Sequence, residues 1–580
     1  MENLKDEIVA AYKLGNLLEI ISQKIRENWD NQDALLQELS KFHNDGTIDI
    51  IAAFKTLKNK PDSGLDFFLT QHALEKLLPS LDAPIADVME CVIGLVREAG
   101  QDMAAGTILP PFVDFCALSH ARPKEALSLI EATPEKYYDL LPQVIMAGAR
   151  LETELYLSEA IRLTKHDYIE IRRRAIFSLG RIENLDEQVL FEKAISCLES
   201  SVEHETDDRL LGSLVDATFN LYKNSKIYNE RLTNLIDKAL SLNGNQTLHA
   251  GAVLFGLHLK ELPDALLDCL LLCLLSVKPE NEGSLNYIDY GVAELVKQGN
   301  WKAVDFLEKL LLSNSEKLSM SVFDNTMREF FKNQNNILNR LLTRWFIKGD
   351  RVLCEGVRKI VDLANEDNAQ LEIVPFDFDY SNSLQSIFLA RKSIGYLFST
   401  PVTAASIVVS LIQHTTNNDV KQTLVKLLFD PLLLSYPGKV KDYLTLKAGN
   451  EVDTVKEPLE NALKLFDDYL ENIKSVGNIS ELHPPQSQRD TYNRRFSRLM
   501  AKAMQEAQKE SVLLSLVSTS VLLYGRKSIN YVYNTDGQSN RMEIPLHTHS
   551  TEMEFSRLVN IDPFGLDYML RVFRGERIKL

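Results

Sequence analysis

The sequence predicts an all-α protein of stacked helical hairpins, closed by a small C-terminal α+β element. Apolar residues recur at i, i+3, i+4 and i+7 in segment after segment, which is the pattern of helices with one buried side. Short turns containing Pro, Gly or Asn separate these segments. A chain of 580 residues also exceeds the roughly 250 to 300 residues at which one hydrophobic core stops growing. The chain therefore contains several domains or a repeat array.

Composition and charge narrow the class of partner. With 45% hydrophobic and 25% charged residues, the chain has the composition of an ordinary soluble globular protein. Its net charge is −17, and residues 482–580 hold 14 Lys and Arg against 10 Asp and Glu, which leaves −21 for residues 1–481. An acidic surface repels nucleic acid and anionic membranes. We therefore expect a protein partner with a basic surface and no membrane contact, while the oligomeric state stays open.

The cysteines indicate a reducing compartment. They are spread through helical patterns without the paired spacing of a disulfide framework or a zinc ribbon. Cys269 and Cys273 are one helical turn apart, but no His or third Cys is near them in sequence. A buried helix face therefore explains the pair better than a metal site. The N-terminus lacks the features of a signal peptide, so a cytoplasmic protein without a cofactor is expected.

The longest stretch without a charged residue, 393–418, is long enough to cross a bilayer. It is interrupted by Pro401, however, and contains many Ser, Thr, Asn and Gln residues. Ser399 or Thr400 followed by Pro401 is typical of an N-cap and the first helical position. The sequence therefore predicts a helix boundary here and no membrane span.

A period of about 40 residues runs through the middle of the chain. When Ala175 is the reference, equivalent positions in similar helices are Val215, Ala252 and Val292, at spacings of 40, 37 and 40 residues. Helical hairpins that cannot bury both faces alone stack into a solenoid. The spacing is at or just below the period of about 40 to 47 residues found in HEAT and armadillo arrays.

Residues 166–182, HDYIEIRRRAIFSLGRI, resemble the second half of a HEAT repeat. The family pattern is Asp, three residues, Val, Arg, two residues, Ala, three residues, Leu, Gly, one residue, Ile. This sequence has matching residues at Asp167, Ile171, Arg172, Ala175, Leu179, Gly180 and Ile182. The strong resemblance covers about a tenth of the chain, and the period extends it to residues 150–315. It implies an irregular HEAT-like, armadillo-like α-solenoid.

The resemblance also assigns roles within this stretch. Because the Asp and Arg of HEAT repeats commonly bond between adjacent repeats, Asp167 and Arg172 are expected to be structural links. Arg173 and Arg174 are then left free for solvent or a partner. The small Ala175 in the middle of the apolar stripe lets the neighbouring helix approach closely.

Three regions are predicted from these observations. Residues 1–150 form N-terminal helical hairpins, and residues 151–481 form the HEAT-like solenoid with an extended loop near 371–381. Residues 482–580 form a C-terminal module with a long helix and a β-hairpin. Alternating apolar residues around a Gly-bearing turn at 534–540 predict the hairpin.

Two clusters of polar residues near the C-terminus could bind a metal or a charged partner. His547 and His549, followed by Glu552 and Glu554, could hold a divalent metal, although a regular strand would point the two pairs to opposite faces. The second cluster is a basic stripe on the long helix, which could contact phosphates or a partner. The stripe consists of Arg495, Arg498, Lys502 and Lys509.

The sequence contains no phosphate-binding Gly loop, nucleophile elbow, kinase signature or HExxH motif, which disfavours the common enzyme classes. A solenoid exposes long surfaces, and an acidic one favours basic partners. We therefore expect a non-enzymatic scaffold or adaptor that binds partner proteins. Two alternatives stay open: a subunit of a nucleic-acid-associated complex that uses the basic C-terminal helix, and a metal-dependent enzyme at the His cluster.

Overall fold

A computed structural model of the chain describes most of its residues. The described ranges are 2–27, 32–60, 65–183, 188–225, 230–332, 337–363, 369–374, 378–450, 453–477, 484–510, 527–533, 539–545 and 554–578. Contacts between residues divide the chain into two compact units, Met1–Glu294 and Leu295–Leu580, called here the first and the second unit. The domain boundaries expected after residues 150 and 481 stay predictions.

Helices make up nearly all of the described chain. Up to residue 297 they are α1 Glu2–Leu14, α2 Leu17–Glu27, α3 Asp33–Asn44, α4 Ile50–Phe54, α5 Phe67–Leu77, α6 Ile85–Ala99, α7 Leu109–Ala117, α8 Ala121–Ala132, α9 Pro134–Tyr137, α10 Leu141–Leu151, α11 Thr153–Leu163, α12 Ile169–Leu179, α13 Gln188–His204, α14 Asp208–Ser225, α15 Glu230–Leu240, α16 Asn245–His258, α17 Asp264–Cys273 and α18 Glu282–Lys297.

From residue 302 onward, helices continue and one pair of strands appears. These elements are α19 Lys302–Ser313, α20 Asp324–Lys332, α21 Ile337–Lys348, α22 Arg351–Leu363, α23 Ser383–Leu397, α24 Pro401–His414, α25 Asn418–Leu427, α26 Lys439–Asn450, α27 Asp453–Val476, α28 Gln486–Glu510, β1 Lys527–Tyr533, β2 Ser539–Pro545, α29 Leu558–Ile561 and α30 Pro563–Gly575.

The helices of the first unit are stacked as hairpins. In its second half, α10, α12, α14 and α16 contact one another in series, and α11, α13, α15 and α17 form a second series. Each helix also packs against its neighbour in sequence. Two layers of alternating helices are the arrangement of a HEAT/armadillo-like α-solenoid, in which each repeat buries its apolar face against the next. The fold class is therefore all-α, as predicted.

The predicted period matches the positions of buried residues. Ala175, Val215, Ala252 and Val292 lie in α12, α14, α16 and α18, and each is 0% exposed. Because these helices are consecutive members of one layer, the spacings of 37 to 40 residues correspond to one hairpin each. The repeat read from the sequence is therefore the structural repeat.

Gly180 shows why the HEAT-like pattern has a glycine after its leucine. A Cβ atom added to this residue would lie 2.5 Å from the Cα atom and 2.5 Å from the carbonyl oxygen of Ala217 in α14. Gly256, inside α16 of the same layer, makes a similar close approach, because its added Cβ would lie 2.5 Å from the carbonyl oxygen of Tyr287. These glycines let successive helices approach at backbone distance.

In the second unit an extended segment, 369–374, passes between two helices. Its N–H groups alternate between side-chain acceptors on α24 and on α21. The pairs are Leu371 with Ser406 at 2.9 Å, Glu372 with Asn339 at 3.1 Å, Ile373 with Ser410 at 3.0 Å, and Val374 with Thr343 at 3.2 Å. Acceptors four residues apart on a helix rise about 6 Å, close to the two-residue step of an extended chain. The buried serines of the uncharged stretch are therefore hydrogen-bond acceptors for this segment.

The helix boundary predicted at Pro401 is confirmed. Helix α23 ends at Leu397, and α24 begins with Pro401 at its first position after the N-cap Thr400. Among the described residues, no helix combines the length and the apolar character that crossing a membrane requires.

The C-terminal α+β element is not supported. The structure describes an antiparallel pairing of β1 with β2, from Lys527 opposite Pro545 to Tyr533 opposite Ser539. The final helix α30, however, packs on α23 and extends the helical stack. A charge pair between Arg391 and Glu576, 3.1 Å apart, joins α23 to the end of the chain. Helix α28 and the β-hairpin lie where the sequence predicts them, whereas the final helix packs on α23, so a separate α+β element is not supported.

Candidate functional site

The second unit contains a cavity of about 910 Å³. It lies between α22, the junction of α23 with α24, the start of α26, helix α28 and residues 554–560. We call it the aromatic cavity, because Tyr396, Phe398, Tyr436, Tyr492 and Phe496 all line it. Its size is within the range of about 300 to 1,000 Å³ that is typical of binding pockets.

The tyrosines give the cavity wall neutral polar groups. Burial raises the pKa of Tyr396 to about 12. Burial, and after it the charge of Glu554, raises the pKa of Tyr436 to about 12. The pKa of Tyr492 is raised by burial as well. At neutral pH these phenols are therefore protonated, and each can donate or accept a hydrogen bond.

An arginine with two carboxylates forms the polar side of the cavity. Arg358 on α22 donates to Glu355 at 2.9 Å and to Asp362 at 2.8 Å. Burial disfavours ionisation of Glu355, but the hydrogen bond and charge of Arg358 outweigh it, so its pKa is lowered. For Asp362 burial dominates over the charge of Arg358, so its pKa is raised. This side of the cavity can orient a polar group of a ligand.

The C-terminal segment closes the cavity by docking on the first turn of α26. Glu554 accepts hydrogen bonds from the N–H groups of Gly438 at 2.7 Å and Lys439 at 2.8 Å. A carboxylate is favourable at this place, because the first N–H groups of a helix lack intrahelical partners. The N–H of Arg557 then donates to the carbonyl of Ser435 at 2.8 Å. These bonds hold residues 554–557 against the solenoid.

The rim of the cavity is apolar and exposed. Phe496 on α28 and Phe555 lie 6.4 Å apart with their rings edge to face, and they are 38% and 57% exposed. Tyr492 stacks on Phe496 at 6.3 Å. Exposed aromatic rings around a partly buried aromatic pocket are typical of surfaces that bind another protein.

The basic stripe lies on the same helix as part of this wall. Arg495, Arg498 and Lys502 are exposed on α28, whereas Tyr492 and Phe496 line the cavity. The side chain of the fourth member, Lys509, lies outside the described residues, and so do His547, His549 and Glu552. Glu554, the last member of the candidate metal cluster, is instead bonded to α26.

The arginines of the HEAT-like stretch bond within the solenoid. Arg172 donates to Glu205 at 3.0 Å, in the following hairpin, and to the backbone carbonyls of His166 at 3.1 Å and Asp167 at 3.3 Å. The bond to Glu205 spans 33 residues, close to one repeat. Asp167 thus contributes its main chain to this link.

The expectation that the next two arginines are free was wrong. Arg173 pairs with Glu170 at 2.7 Å, and Arg174 pairs with Asp139. The partner of Arg174 is 35 residues away in the preceding hairpin, so no local pattern could predict the pair.

Charge is divided unequally between the two units. The first unit has 28 Lys and Arg against 47 Asp and Glu, a net charge of −19, and the second has 36 against 34, a net charge of +2. The acidity expected for residues 1–481 is therefore concentrated in the first unit. A basic partner surface would be attracted mainly there.

The aromatic cavity could not be found from the sequence. Tyr396 lies in α23, Tyr436 in the loop before α26 and Tyr492 in α28, and they share no local spacing. Close to the cavity in sequence, Asp562 caps α30 by accepting a hydrogen bond from the N–H of Gly565 at 2.9 Å.

Comparison with known proteins identifies no family. No protein-family model and no curated protein matches the sequence. Among solved structures, a chain of the Kap95:Nup1 complex is 10% identical, with 81% of this chain and 74% of that chain covered and a TM-score of 0.27.

Two further solved structures are similar to this chain at comparably low levels. An engineered protein is 14% identical, with 72% of this chain and 98% of that chain covered and a TM-score of 0.19. A structure described for the interaction between cadherin and beta-catenin is 13% identical, with 76% and 98% covered and a TM-score of 0.19. TM-scores this low leave the function to be inferred from this chain's own residues.

Proposed function

We propose that this protein is a non-enzymatic scaffold or adaptor, and that its second unit binds an apolar segment of a partner protein in the aromatic cavity. The observation that carries the proposal is the pairing of a neutral aromatic wall with exposed rings at the rim. Tyr and Arg are enriched at the energetically dominant positions of protein interfaces, and Tyr396, Tyr436 and Arg358 are such residues here.

A basic partner surface fits the first unit. Its net charge of −19 supports attraction of a positively charged protein, which accelerates association and weakens as salt rises. The partner is therefore expected to have two properties. It has an apolar segment that enters the aromatic cavity, and it has a basic surface that is attracted to the first unit.

Affinity capture from the native cell tests the cavity. The bait is the full chain with Phe496 and Phe555 replaced by Ser, both of which are exposed enough to change without opening the core. Tyr290→Ser is the matched control, because Tyr290 is an exposed aromatic residue, 51% accessible, that lies in α18 and does not line the cavity. The proposal expects a stable co-purifying protein with the parent and the control, and its loss with the double variant. Identical captured proteins from all three baits would refute the cavity as the binding site.

The nucleic-acid alternative has its own test. The exposed basic residues Arg495, Arg498 and Lys502 are replaced together by Ala, and binding to single- and double-stranded nucleic acid is measured against salt. Phosphate contacts make affinity fall steeply with salt. A parent that does not bind, or a variant that binds as well as the parent, would remove this alternative.

A further inference from the structure

Three metal-ligating side chains meet at the surface of the first unit. Asp237 lies on α15, and Cys269 and Cys273 lie one turn apart on α17, the next helix of the same layer. The Cys269 Sγ atom is 3.1 Å from Asp237 Oδ1. One ligand atom from each of the three residues lies within 4.8 Å of the others. These residues belong to the first unit, whereas the residues that line the aromatic cavity belong to the second.

The spacing of these atoms fits a tetrahedral ion. Bond lengths of about 2.3 Å from zinc to sulfur and about 2.0 to 2.2 Å to oxygen place two sulfurs about 3.8 Å apart, and sulfur and oxygen about 3.5 Å apart. The distances in the cluster reach these values with side-chain adjustments of about 1 Å or less. The backbone of the two packed helices already sets the geometry.

The exposure of the cluster also suits a cation. Both cysteines are half-buried and Asp237 is exposed, so an ion can enter from solvent. The helix face that carries the two cysteines is therefore only partly buried, whereas the sequence indicated a buried face.

We propose that Asp237, Cys269 and Cys273 bind a divalent ion of the zinc class, with water at the fourth position. Two thiolates and one carboxylate are ligands that zinc accepts, and thiolates disfavour Mg²⁺ and Ca²⁺. Binding forms two metal–sulfur bonds and one metal–oxygen bond, replaces water molecules of the hydrated ion and releases the two thiol protons to solvent. The ion joins α15 to α17 and so cross-links two successive hairpins.

The test uses the reduced full chain, with Zn²⁺ titrated in competition with a chromophoric chelator. Co²⁺ serves as the spectroscopic probe, because thiolate ligation produces a charge-transfer band. The variants are the double change C269S and C273S, the single change D237N, and the control C197S. Cys197 is also a half-buried cysteine, but its Sγ contacts the hydroxyl of Thr164.

The proposal expects one ion per parent chain, a thiolate band with Co²⁺, and both retained in C197S. The double variant should lose the band, and D237N should bind at least about tenfold more weakly. Zn²⁺ should raise the thermal unfolding midpoint of the parent and not of the double variant. A parent without the thiolate band, a double variant that binds like the parent, or an unchanged affinity in D237N would each overturn the proposal. Circular dichroism verifies that every variant is folded.

Discussion

Replacing Gly180 with Ala places a methyl group where the backbone of the next hairpin already lies. The added carbon would be 2.5 Å from Ala217 Cα, whereas carbon atoms in contact are about 3.5 to 4.0 Å apart. Helices α12 and α14 must therefore separate by about 1 Å or more, or the end of α12 must shift. Overpacking of this kind costs about 1 to 3 kcal/mol.

The backbone at this position does not add to the cost. Gly180 has φ −76° and ψ −10°, which alanine adopts freely. Alanine also restricts the unfolded chain, which stabilises the folded state by about 0.4 to 1 kcal/mol. The difference between these ranges reaches about 2.5 kcal/mol. Because the clash is with backbone atoms, which cannot rotate away, we expect a net loss of about 1 to 2 kcal/mol, a factor of about 5 to 30 in the local opening equilibrium.

Amide hydrogen exchange measures this change where it occurs. Since repeats are stabilised mainly by their neighbours, the amides of α12 and α14 should exchange about 5 to 30 times faster in Gly180→Ala, and those of remote hairpins should be unchanged. Gly94→Ala is the control, because Gly94 lies inside α6 and an added Cβ there has no atom within 4 Å. That variant should exchange at the parental rate or more slowly. Unaltered exchange in α12 and α14 of Gly180→Ala would refute the close-approach argument.

Two further predictions concern hydrogen bonds and charge. Ser410→Ala removes the acceptor of the buried Ile373 N–H. This change should lower the free energy of unfolding by about 1 to 3 kcal/mol and accelerate hydrogen exchange of the Ile373 amide. The control is Ser313→Ala, which should leave that exchange unchanged because the Ser313 hydroxyl bonds to a carbonyl of its own helix. Equal exchange of Ile373 in both variants would contradict the role of Ser410. Hydrogen bonds from Lys136 and then Lys55 lower the pKa of Glu90 to about 2. Because this folded-state pKa is below the usual 4.5, the stabilisation is present above pH 4.5 and is lost as the pH falls toward 2. Since Glu90 is 47% exposed, Glu90→Gln should lower stability at pH 7 by at most about 1 kcal/mol. The thermal unfolding midpoints of variant and parent should approach each other as the pH falls from 4.5 and converge near pH 2, and a constant difference across this range would contradict the assignment. The exposed Glu125→Gln serves as the control.

Short-range patterns in the sequence determined the helical fold and its repeat. The 3.6-residue apolar period identifies helices with one buried face, and the 37- to 40-residue spacing of Ala175, Val215, Ala252 and Val292 identifies the hairpin repeat. Both are local properties, because a solenoid repeat contacts mainly its neighbours. The helix start at Pro401 was readable for the same reason.

Only the tertiary structure decided which distant residues meet. The partners of Arg172 and Arg174 lie in adjacent hairpins, and the pairing of Asp237 with two cysteines on α17 spans 32 residues. The aromatic cavity depends on residues 554–557 docking on α26, more than 110 positions earlier in the chain. Such contacts are set by how helices pack and where the chain folds back. The local spacing of hydrophobic residues contains no information about helix packing or about where the chain folds back. The sequence by itself therefore determined the helical scaffold, and tertiary packing determined the candidate sites on it.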